Sequence, residues 1–326
     1  MTTLKTTKQN PVKTVKLKKG GIIKRDLQQN WILYLMVLPV LVYYFIFNYM
    51  PMGGILLAFK DYKAVLGNSF FENLMQSDWI GFKYFIEFFS SVYFKRIMIN
   101  TFKISFASIV FGFPAPIILA LLINEVNTKW YKKTIQTVTY LPYFLSLVVI
   151  CGMIRTFTAS DGVVSQLLSA ITGKEAVTML NYPNKFLPVY VISEIWNSVG
   201  WGSIIYLSAL AGINDELYEA ARIDGANRWK QVLHVTIPGI LPTIMIMLIM
   251  RLGQVLVVGS EKILLLYNDM TRETAEVIST YVYEKGIVNR EYGFSTAVGL
   301  FNAIVNIVFL VLSNQISKKV TETSLW

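Results

Sequence analysis

Residues 294–316 read FSTAVGLFNAIVNIVFLVLSNQI, a stretch without a single charged side chain. An α-helix of about 20 residues crosses the hydrocarbon of a bilayer, so this stretch is long enough to span a membrane. Its apolar residues do not alternate with polar ones in steps of two, as the strands of a membrane barrel require. The stretch therefore predicts a transmembrane helix.

Five further stretches of the chain are long and apolar in the same way. They are Trp31–Phe47, Thr101–Ile123, Thr134–Ile154, Leu187–Ile213 and Gly239–Ser260. Pro114 and Pro116 lie inside the second stretch, and membrane helices tolerate proline because neighbouring groups satisfy the freed carbonyls. We therefore expect an all-α membrane protein with six transmembrane helices.

The composition of the whole chain agrees with a membrane protein. Of its 326 residues, 54% are apolar and 15% are charged, whereas a soluble domain has about 25% charged residues. Cys151 is the only cysteine and His234 the only histidine, which excludes a disulfide within the chain and a metal site built from several such ligands. We expect no metal, an inert core thiol at Cys151, and a cytoplasmic contact role for His234.

The distribution of basic residues predicts which side each terminus occupies. Six spans place both termini on one side, and the segments of that side hold 16 Lys and Arg: 1–30, 124–133, 214–238 and 317–326. The opposite segments hold 11 over much longer stretches: 48–100, 157–186 and 261–293. Because cytoplasmic loops carry the excess of basic residues, both termini are expected to be cytoplasmic.

The domain organisation that follows is a tail and one membrane domain. Residues 1–30 are lysine-rich and polar, and we expect a retained cytoplasmic tail. It is either a solvated arm or a contact with anionic membrane lipid. Residues 31–326 form the transmembrane domain, and nothing in the charge pattern indicates a nucleic-acid partner.

The connection before the fifth span has the pattern of a helix instead of a loop. Asn214–Pro242 reads NDELYEAARIDGANRWKQVLHVTIPGILP. We expect two short cytoplasmic helices with a bend at Gly225, because glycine permits backbone conformations that strain other residues. Pro238 is expected to begin the next span, where its missing N–H costs nothing. The small side chains of Ala220 and Ala221 would let another protein approach closely.

This connection resembles the EAA loop of permease subunits in binding-protein-dependent ABC importers. The motif is EAA, three residues, Gly, nine residues and then Ile-x-Leu-Pro; here valine and isoleucine replace its Ile and Leu. In that family the loop forms a coupling helix that docks on the ATPase subunits. The resemblance implies a docking role for Glu219, Ala220, Ala221, Arg222, Asp224, Gly225 and Pro238.

Further stretches resemble permeases of the LplB type, in the oligosaccharide-uptake group of type I importers. They include FNYMPMGGILLAFKDY, FGFPAPIILALLINE, YLPYFLSLVVICGM, EIWNSVGWGSIIYLSALAGI, YGFSTAVGLF and the terminal SLW, and together they cover Trp31–Trp326. The resemblance implies the type I importer permease fold in a bacterial plasma membrane. It also implies four kinds of partner: a second permease, two ATPase copies, an extracellular binding lipoprotein and an oligosaccharide.

The chain itself lacks the sequence of an ATP site. No G-x-x-x-x-G-K-[ST] is present, so the loop that cradles nucleotide phosphates in P-loop proteins is missing. We therefore expect a non-catalytic subunit that binds no cofactor, with ATP and Mg on the partner ATPases.

Two ionisable residues inside the predicted spans are candidates for the substrate path. Glu194 and Arg251 are expected at similar depth, and intramembrane charges are either paired or face a polar cavity. Both interpretations stay open: a structural ion pair, or groups that face the translocation path. Neighbouring polar or aromatic candidates are Trp196, Asn197, Gln254 and Asn302.

Other functions are compatible with part of the pattern. A permease for another solute, such as an amino acid, phosphate or a metal ion, would share the loop. A membrane-embedded enzyme would need paired catalytic groups within the spans, and only Glu194 and Arg251 offer any. A scaffold or sensor would have no need of a docking loop of this type.

Overall fold

A computed structural model describes residues 26–63, 69–321 and 323–325. The chain divides into two units, the first ending at Ile55 and the second starting at Leu56. Throughout the described ranges the structure is helical, and its only bridge of β type pairs Lys60 with Trp79. The expected all-α fold is confirmed. Residues 1–25 of the predicted tail lie outside the described residues.

Sixteen α-helices are numbered in chain order within the described ranges. They are α1 (Trp31–Tyr44), α2 (Phe70–Gln76), α3 (Lys83–Ser90), α4 (Phe94–Ala107), α5 (Pro114–Asn124), α6 (Lys129–Tyr140), α7 (Leu147–Phe157), α8 (Val163–Thr172), α9 (Pro183–Leu210), α10 (Asp215–Ile223), α11 (Arg228–Gln231), α12 (Ile237–Leu252), α13 (Ser260–Leu266), α14 (Arg272–Ala275), α15 (Ile278–Tyr283) and α16 (Tyr292–Thr321). Short π-helical or 3-10 segments join several of them.

The first unit is dominated by one apolar helix. Helix α1 passes without interruption into a π-helical turn, Phe45–Tyr49, and then into a 3-10 segment that begins at Met50. None of the side chains of α1 is buried, and its sequence is apolar on every face. A helix that is apolar all round is typical of a membrane span.

In the described residues, four continuous helices are long and apolar enough to cross a membrane: Trp31–Phe59, Phe94–Asn124, Arg228–Leu252 and Tyr292–Lys319. They contain the first, second, fifth and sixth predicted spans in whole or in large part. The second passes through a π-helical turn at Ser108–Gly112, immediately before Pro114.

The third predicted span, Thr134–Ile154, is wrong as a continuous helix. The structure has two helices there, Lys129–Phe144 and Leu147–Phe157, bent by 100°. Pro142 opens a final 3-10 turn, and Ser146 caps the next helix by accepting a hydrogen bond from the amide of Val149 at 3.4 Å. Proline ends one helix and a serine N-cap starts the other, so the chain turns between them.

Most of the fourth predicted span, Leu187–Ile213, lies in the 28-residue helix α9, which ends at Leu210. Helix α9 is long enough to cross a bilayer. Its sequence is less apolar than the four helices named above, and it is not among them. The expected count of six spans and the cytoplasmic position of both termini therefore stay predictions.

The fifth predicted span, Gly239–Ser260, extends too far, because its helix ends at Leu252. Pro238 lies in the first turn of α12, as expected, but the helix is also continuous with the preceding turns from Arg228. A π-helical turn at Val232–Thr236 precedes the proline, and such turns change the hydrogen-bond register locally. After Leu252 the chain leaves the helix, and α13 starts at Ser260.

Helix α9 supplies side chains to two groups of buried residues in the second unit. One group of buried side chains joins Phe186 and Tyr190 of α9 to Ile150 of α7 and Ile263 of α13. Another joins Tyr206 and Leu210 of α9 to Ala120 and Ile240. Cys151 is buried in the first group, with 2% of its surface exposed. Because α9 contacts both groups, its polar positions lie where several helices meet.

Charged side chains link the start of α4 to the segment before the last helix. Arg272 pairs with Glu276 at 3.0 Å and also with Glu284, and Arg96 pairs with the same Glu276. Glu276 is only 3% exposed, so its charge depends on these partners. The hydrogen bond to Glu284 raises the pKa of Arg272 above its ordinary value, so Arg272 stays positively charged across physiological pH.

We predict that Arg272→Leu destabilises the protein, because it removes one of the two ion-pair partners of Glu276 and the ion pair of Glu284. Arg272 is 37% exposed, so we expect a loss of about 1–2 kcal/mol, less than for a fully buried pair. The midpoint of thermal denaturation of the purified chain measures this loss. Lys63→Leu, which removes an exposed pair with Asp61, is the matched control and should leave the midpoint unchanged.

Candidate functional site

The first half of the Asn214–Pro242 connection is a capped helix. The side chain of Asn214 accepts a hydrogen bond from the amide of Glu216 at 3.1 Å. Asp215 and Glu216 occupy the first turn of α10 and Arg222 the last, which matches the helix dipole at both ends. These local features explain why nine residues form a helix on the surface.

The bend after α10 falls at the predicted glycine. Gly225 has a φ of +76°, in the left-handed region that side chains other than glycine rarely adopt. The amide of Ala226 donates to the carbonyl of Ala221 at 2.9 Å, which closes the end of α10. Asn227 then caps the next helix by accepting from the amide of Lys230 at 2.9 Å. The second expected short helix is instead the start of the long helix Arg228–Leu252.

The residues with a predicted docking role lie on an accessible surface. Ala221 is half-buried, and the others are exposed: Glu219, Ala220, Arg222, Asp224, Gly225 and Pro238. Two large apolar side chains flank the bend, with Ile223 86% and Trp229 76% exposed. The sequence analysis did not single them out, although both lie within the motif. Exposed apolar side chains clustered beside a helix end are typical of a surface that another protein covers.

Two contacts fix this connection to the rest of its unit. The hydroxyls of Tyr218 and Thr236 lie 3.0 Å apart, which ties α10 to the following helix. Arg228 pairs with Glu125 at 3.2 Å, which ties it to the end of α5. His234 makes a local contact only: a nitrogen of its imidazole lies 3.0 Å from the carbonyl oxygen of Lys230, one turn earlier in the same helix. Helix α10 therefore contacts the following helix directly, and that helix contacts the end of α5.

The structure brings the two intramembrane charges together. A guanidinium nitrogen of Arg251 lies 3.3 Å from a carboxylate oxygen of Glu194. The other carboxylate oxygen accepts a hydrogen bond from the hydroxyl of Ser108 at 2.7 Å. The side chains of Arg251 and Glu194 remain 35% and 28% exposed. Residues from the second, fourth and fifth predicted spans thus form one polar cluster that remains partly accessible.

The other predicted path residues have different surroundings. The amide of Asn197 donates to the carbonyl of Pro142 at 2.9 Å, at the break of the third predicted span. Asn302 accepts a hydrogen bond from Asn306 at 3.4 Å, and Gln254 is exposed. Trp196 lines an apolar cavity on another side of α9, because two helical positions after Glu194 point about 200° away. The structure does not bring Trp196 to the ion pair.

Sequence reasoning missed several residues near this cluster. Besides Ser108, Lys262 is only 7% exposed and donates to the carbonyl of Tyr190 at 3.1 Å, one turn before Glu194. Away from the ion pair, at the break of the third predicted span, the rings of Tyr143 and Trp201 are stacked 4.7 Å apart. Ser108 follows from no local signal, since a small hydroxyl inside an apolar stretch is common. Lys262 was counted as an ordinary residue of an outer segment.

Comparison with known proteins shows which family the chain belongs to. The family model for the inner membrane component of binding-protein-dependent transport systems matches residues 105–322. The chain belongs to this family, and it is a multi-pass permease of a bacterial membrane. The resemblance drawn from the sequence is confirmed.

Close relatives cover nearly the whole chain. Protein LplB of Bacillus subtilis (strain 168) is 42% identical over 93% of this chain and 92% of its own length. The polygalacturonan/rhamnogalacturonan transport system permease protein YteP of the same organism is 38% identical over 95% of both chains. A solved bacterial alginate ABC transporter, in complex with an alginate pentasaccharide-bound periplasmic protein, has a chain that matches with a TM-score of 0.83. That chain is 43% identical, over 92% of this chain and 99% of its own.

We predict that Arg251→Leu lowers solute uptake while Arg251→Lys lowers it less. Lysine keeps the charge beside Glu194 but loses the planar set of donors that an arginine offers. Uptake of a labelled oligosaccharide into vesicles measures the effect. Arg155→Leu, at the exposed end of α7, is the control and should keep normal uptake.

The thermal denaturation midpoint of the same variants separates the two interpretations of the pair. Normal uptake by Arg251→Leu with a lowered midpoint would contradict a role in the path and leave a structural ion pair. A charge-exchanged double variant, Glu194→Arg with Arg251→Glu, should then recover the midpoint.

Proposed function

We propose that this permease forms half of the translocation path of an ATP-driven importer in the bacterial plasma membrane. A second, homologous permease supplies the other half. An extracellular binding lipoprotein delivers the solute, which the chain passes between the helices around Glu194 and Arg251. The observation that carries the proposal is the capped, exposed α10 with its bend at Gly225, where the sequence matches the EAA motif.

The energy for transport comes from partner ATPases in this proposal, and this chain binds neither ATP nor Mg. Helix α10 docks on an ATPase subunit through Ala220 and Ala221, whose small side chains permit close approach. The exposed side chains of Ile223 and Trp229 add apolar contact area beside these alanines. Tryptophan is one of the residues that dominate the binding energy of many interfaces. Closure of the ATPases then moves α10 and the helices attached to it as a rigid body.

The proposed solute is an oligosaccharide. One relative that covers almost the entire chain is named for polygalacturonan/rhamnogalacturonan, and the solved relative for alginate. A second interpretation, import of an amino acid or phosphate, would use the same coupling loop and lacks support from these relatives. Arg251 offers several fixed donors to the hydroxyls or carboxylate of a sugar, and its partial exposure supports access.

The proposed orientation follows from charge. With both termini in the cytoplasm and six spans, α10 and the Glu125–Arg228 contact lie on the cytoplasmic side, where the ATPases are. The segments 157–186 and 261–293 then lie outside, where the binding protein approaches. This arrangement places the docking surface and the solute entry on opposite sides of the membrane, as import requires.

We predict that Glu219→Lys and Gly225→Val reduce solute-stimulated ATP hydrolysis in reconstituted proteoliposomes. The first reverses a charge on the docking surface, and the second strains a backbone that holds a φ of +76°. Both leave membrane insertion intact, because neither residue lies in a predicted span. Wild-type stimulation and uptake in the double variant would contradict the coupling role of the loop.

We also predict that Trp229→Ala weakens association with the ATPase subunits by about tenfold, the effect of losing a well-packed aromatic anchor. Pull-down of ATPase with the solubilised permease, titrated against ATPase concentration, measures the change. Trp79→Ala is the matched control, because this tryptophan is also largely exposed, at 64%, but lies in a segment expected outside. Equal losses for both variants would show a general effect on folding instead of a docking contact.

A further inference from the structure

Between α7, α8 and α9 lies an apolar cavity of about 610 Å³. Its walls include Ile154 and Phe157 of α7, Val164 and Leu168 of α8, and Val189 of α9. The volume is in the range of sites that hold small organic molecules. None of these residues belongs to the ion-pair cluster or to the coupling loop.

One wall of the cavity, α8, has its apolar side turned away from the protein. Val163, Leu167 and Ile171 are 57–79% exposed and follow one another at the spacing of one helical face. Ser165, in contrast, is only 2% exposed. A ten-residue helix is about 15 Å long, too short to cross a bilayer. An outward apolar stripe on such a helix is typical of a segment that lies in the membrane interface.

The cavity is held in shape by a close contact at the start of α8. A Cβ atom at Gly162 would lie 2.3 Å from the carbonyl oxygen of Thr156, so only glycine permits this approach of α8 to the end of α7. The hydroxyl of Ser165 donates to the carbonyl of Thr158 at 3.0 Å. Helix α8 is therefore fixed against α7, and the space beneath it is part of the fold.

The hydroxyls that line the cavity are already used within the chain. Each donates to a backbone carbonyl, at distances of 2.6–3.0 Å: Thr158, Ser165, Ser169, Thr172 and Ser193. A sugar would meet a wall whose hydroxyl donors are all occupied. The cavity thus fits an apolar chain and does not resemble a site for the transported solute.

Charged residues lie only at the ends of the lining segments. Lys174 and Glu175 are exposed, and Lys185 lies 5.2 Å from the ring centre of Tyr182. Within the described ranges none of the three has an ion-pair partner closer than 4 Å, and together they carry a net charge of +1. A ligand with an apolar chain and an anionic head matches this arrangement, because basic residues next to an apolar surface attract anionic lipid headgroups.

We propose that this cavity binds one acyl chain of an anionic phospholipid, with the headgroup phosphate at Lys174 and Lys185. The proposed orientation places residues 157–186 on the outer side, so the lipid belongs to the outer leaflet. The site does not depend on which solute is transported, and the two proposals fail separately: lipid retention tests this one, and ATP hydrolysis and uptake test the other.

Native mass spectrometry of the solubilised full-length chain, with the subunits that accompany it, tests the site after exposure to phosphatidylglycerol vesicles. We expect a retained phosphatidylglycerol whose occupancy falls about tenfold in the double variant Lys174→Glu, Lys185→Glu, since both headgroup contacts are reversed. Val164→Phe fills the cavity without a change of charge and should also remove the lipid. Lys129→Glu with Lys133→Glu, on the segment 124–133, is the matched control and should retain it.

A photoreactive phenylalanine derivative at Leu168 identifies what covers the cavity in native membranes. We expect a cross-link to phosphatidylglycerol. A cross-link to another protein chain would overturn the proposal and identify a subunit interface. Unchanged lipid occupancy in both the charge-reversed and the cavity-filled variants would overturn it equally.

Discussion

Backbone groups inside hydrocarbon must find partners within the protein, because no water is available to satisfy them. This chain repeatedly interrupts its helices, and at several interruptions a side chain supplies the missing partner. Asn197 donates to the carbonyl of Pro142 where the third predicted span bends. Asn306 accepts from the amide of Leu256 after the end of α12, and Thr101 accepts from the amide of Ile278 at the start of α15. These bonds give the backbone groups at these three turns a partner within the protein.

One continuous helix connects the two candidate sites. The helix from Arg228 to Leu252 is continuous through its π-helical turn and spans about 35 Å. Arg228, at one end, pairs with Glu125 beside the coupling connection. Arg251, at the other, pairs with Glu194. A displacement of α10 that carries this helix with it therefore reaches the ion pair directly. Such a rigid connection is what an importer driven by a docked ATPase requires.

Some of this arrangement could be predicted from the sequence and some could not. The apolar stretches and the spacing from Glu219 to Pro238 are local signals, and they led to the correct fold class and family. The bend between Lys129–Phe144 and Leu147–Phe157 was also signalled locally, by Pro142 and Ser146, but hydropathy averaged over the stretch concealed it. The partners of Glu194 depend on tertiary packing, so Ser108 was missed. Trp196 was misplaced because sequence proximity to Glu194 ignores the turn of the helix.

Site-directed cross-linking can detect the proposed docking of α10 on an ATPase subunit. Cys151 is the only cysteine in the chain and is buried, so a cysteine introduced at Ile223 provides a single accessible thiol. A short thiol-to-amine cross-linker applied to native membranes should join Ile223→Cys to an ATPase subunit identified by mass spectrometry. Val92→Cys has the same 86% exposure at its native residue but lies in a segment expected outside, and it should give no such product. If position 223 gives no ATPase adduct, or position 92 gives the same adduct, α10 does not dock on the ATPase as proposed.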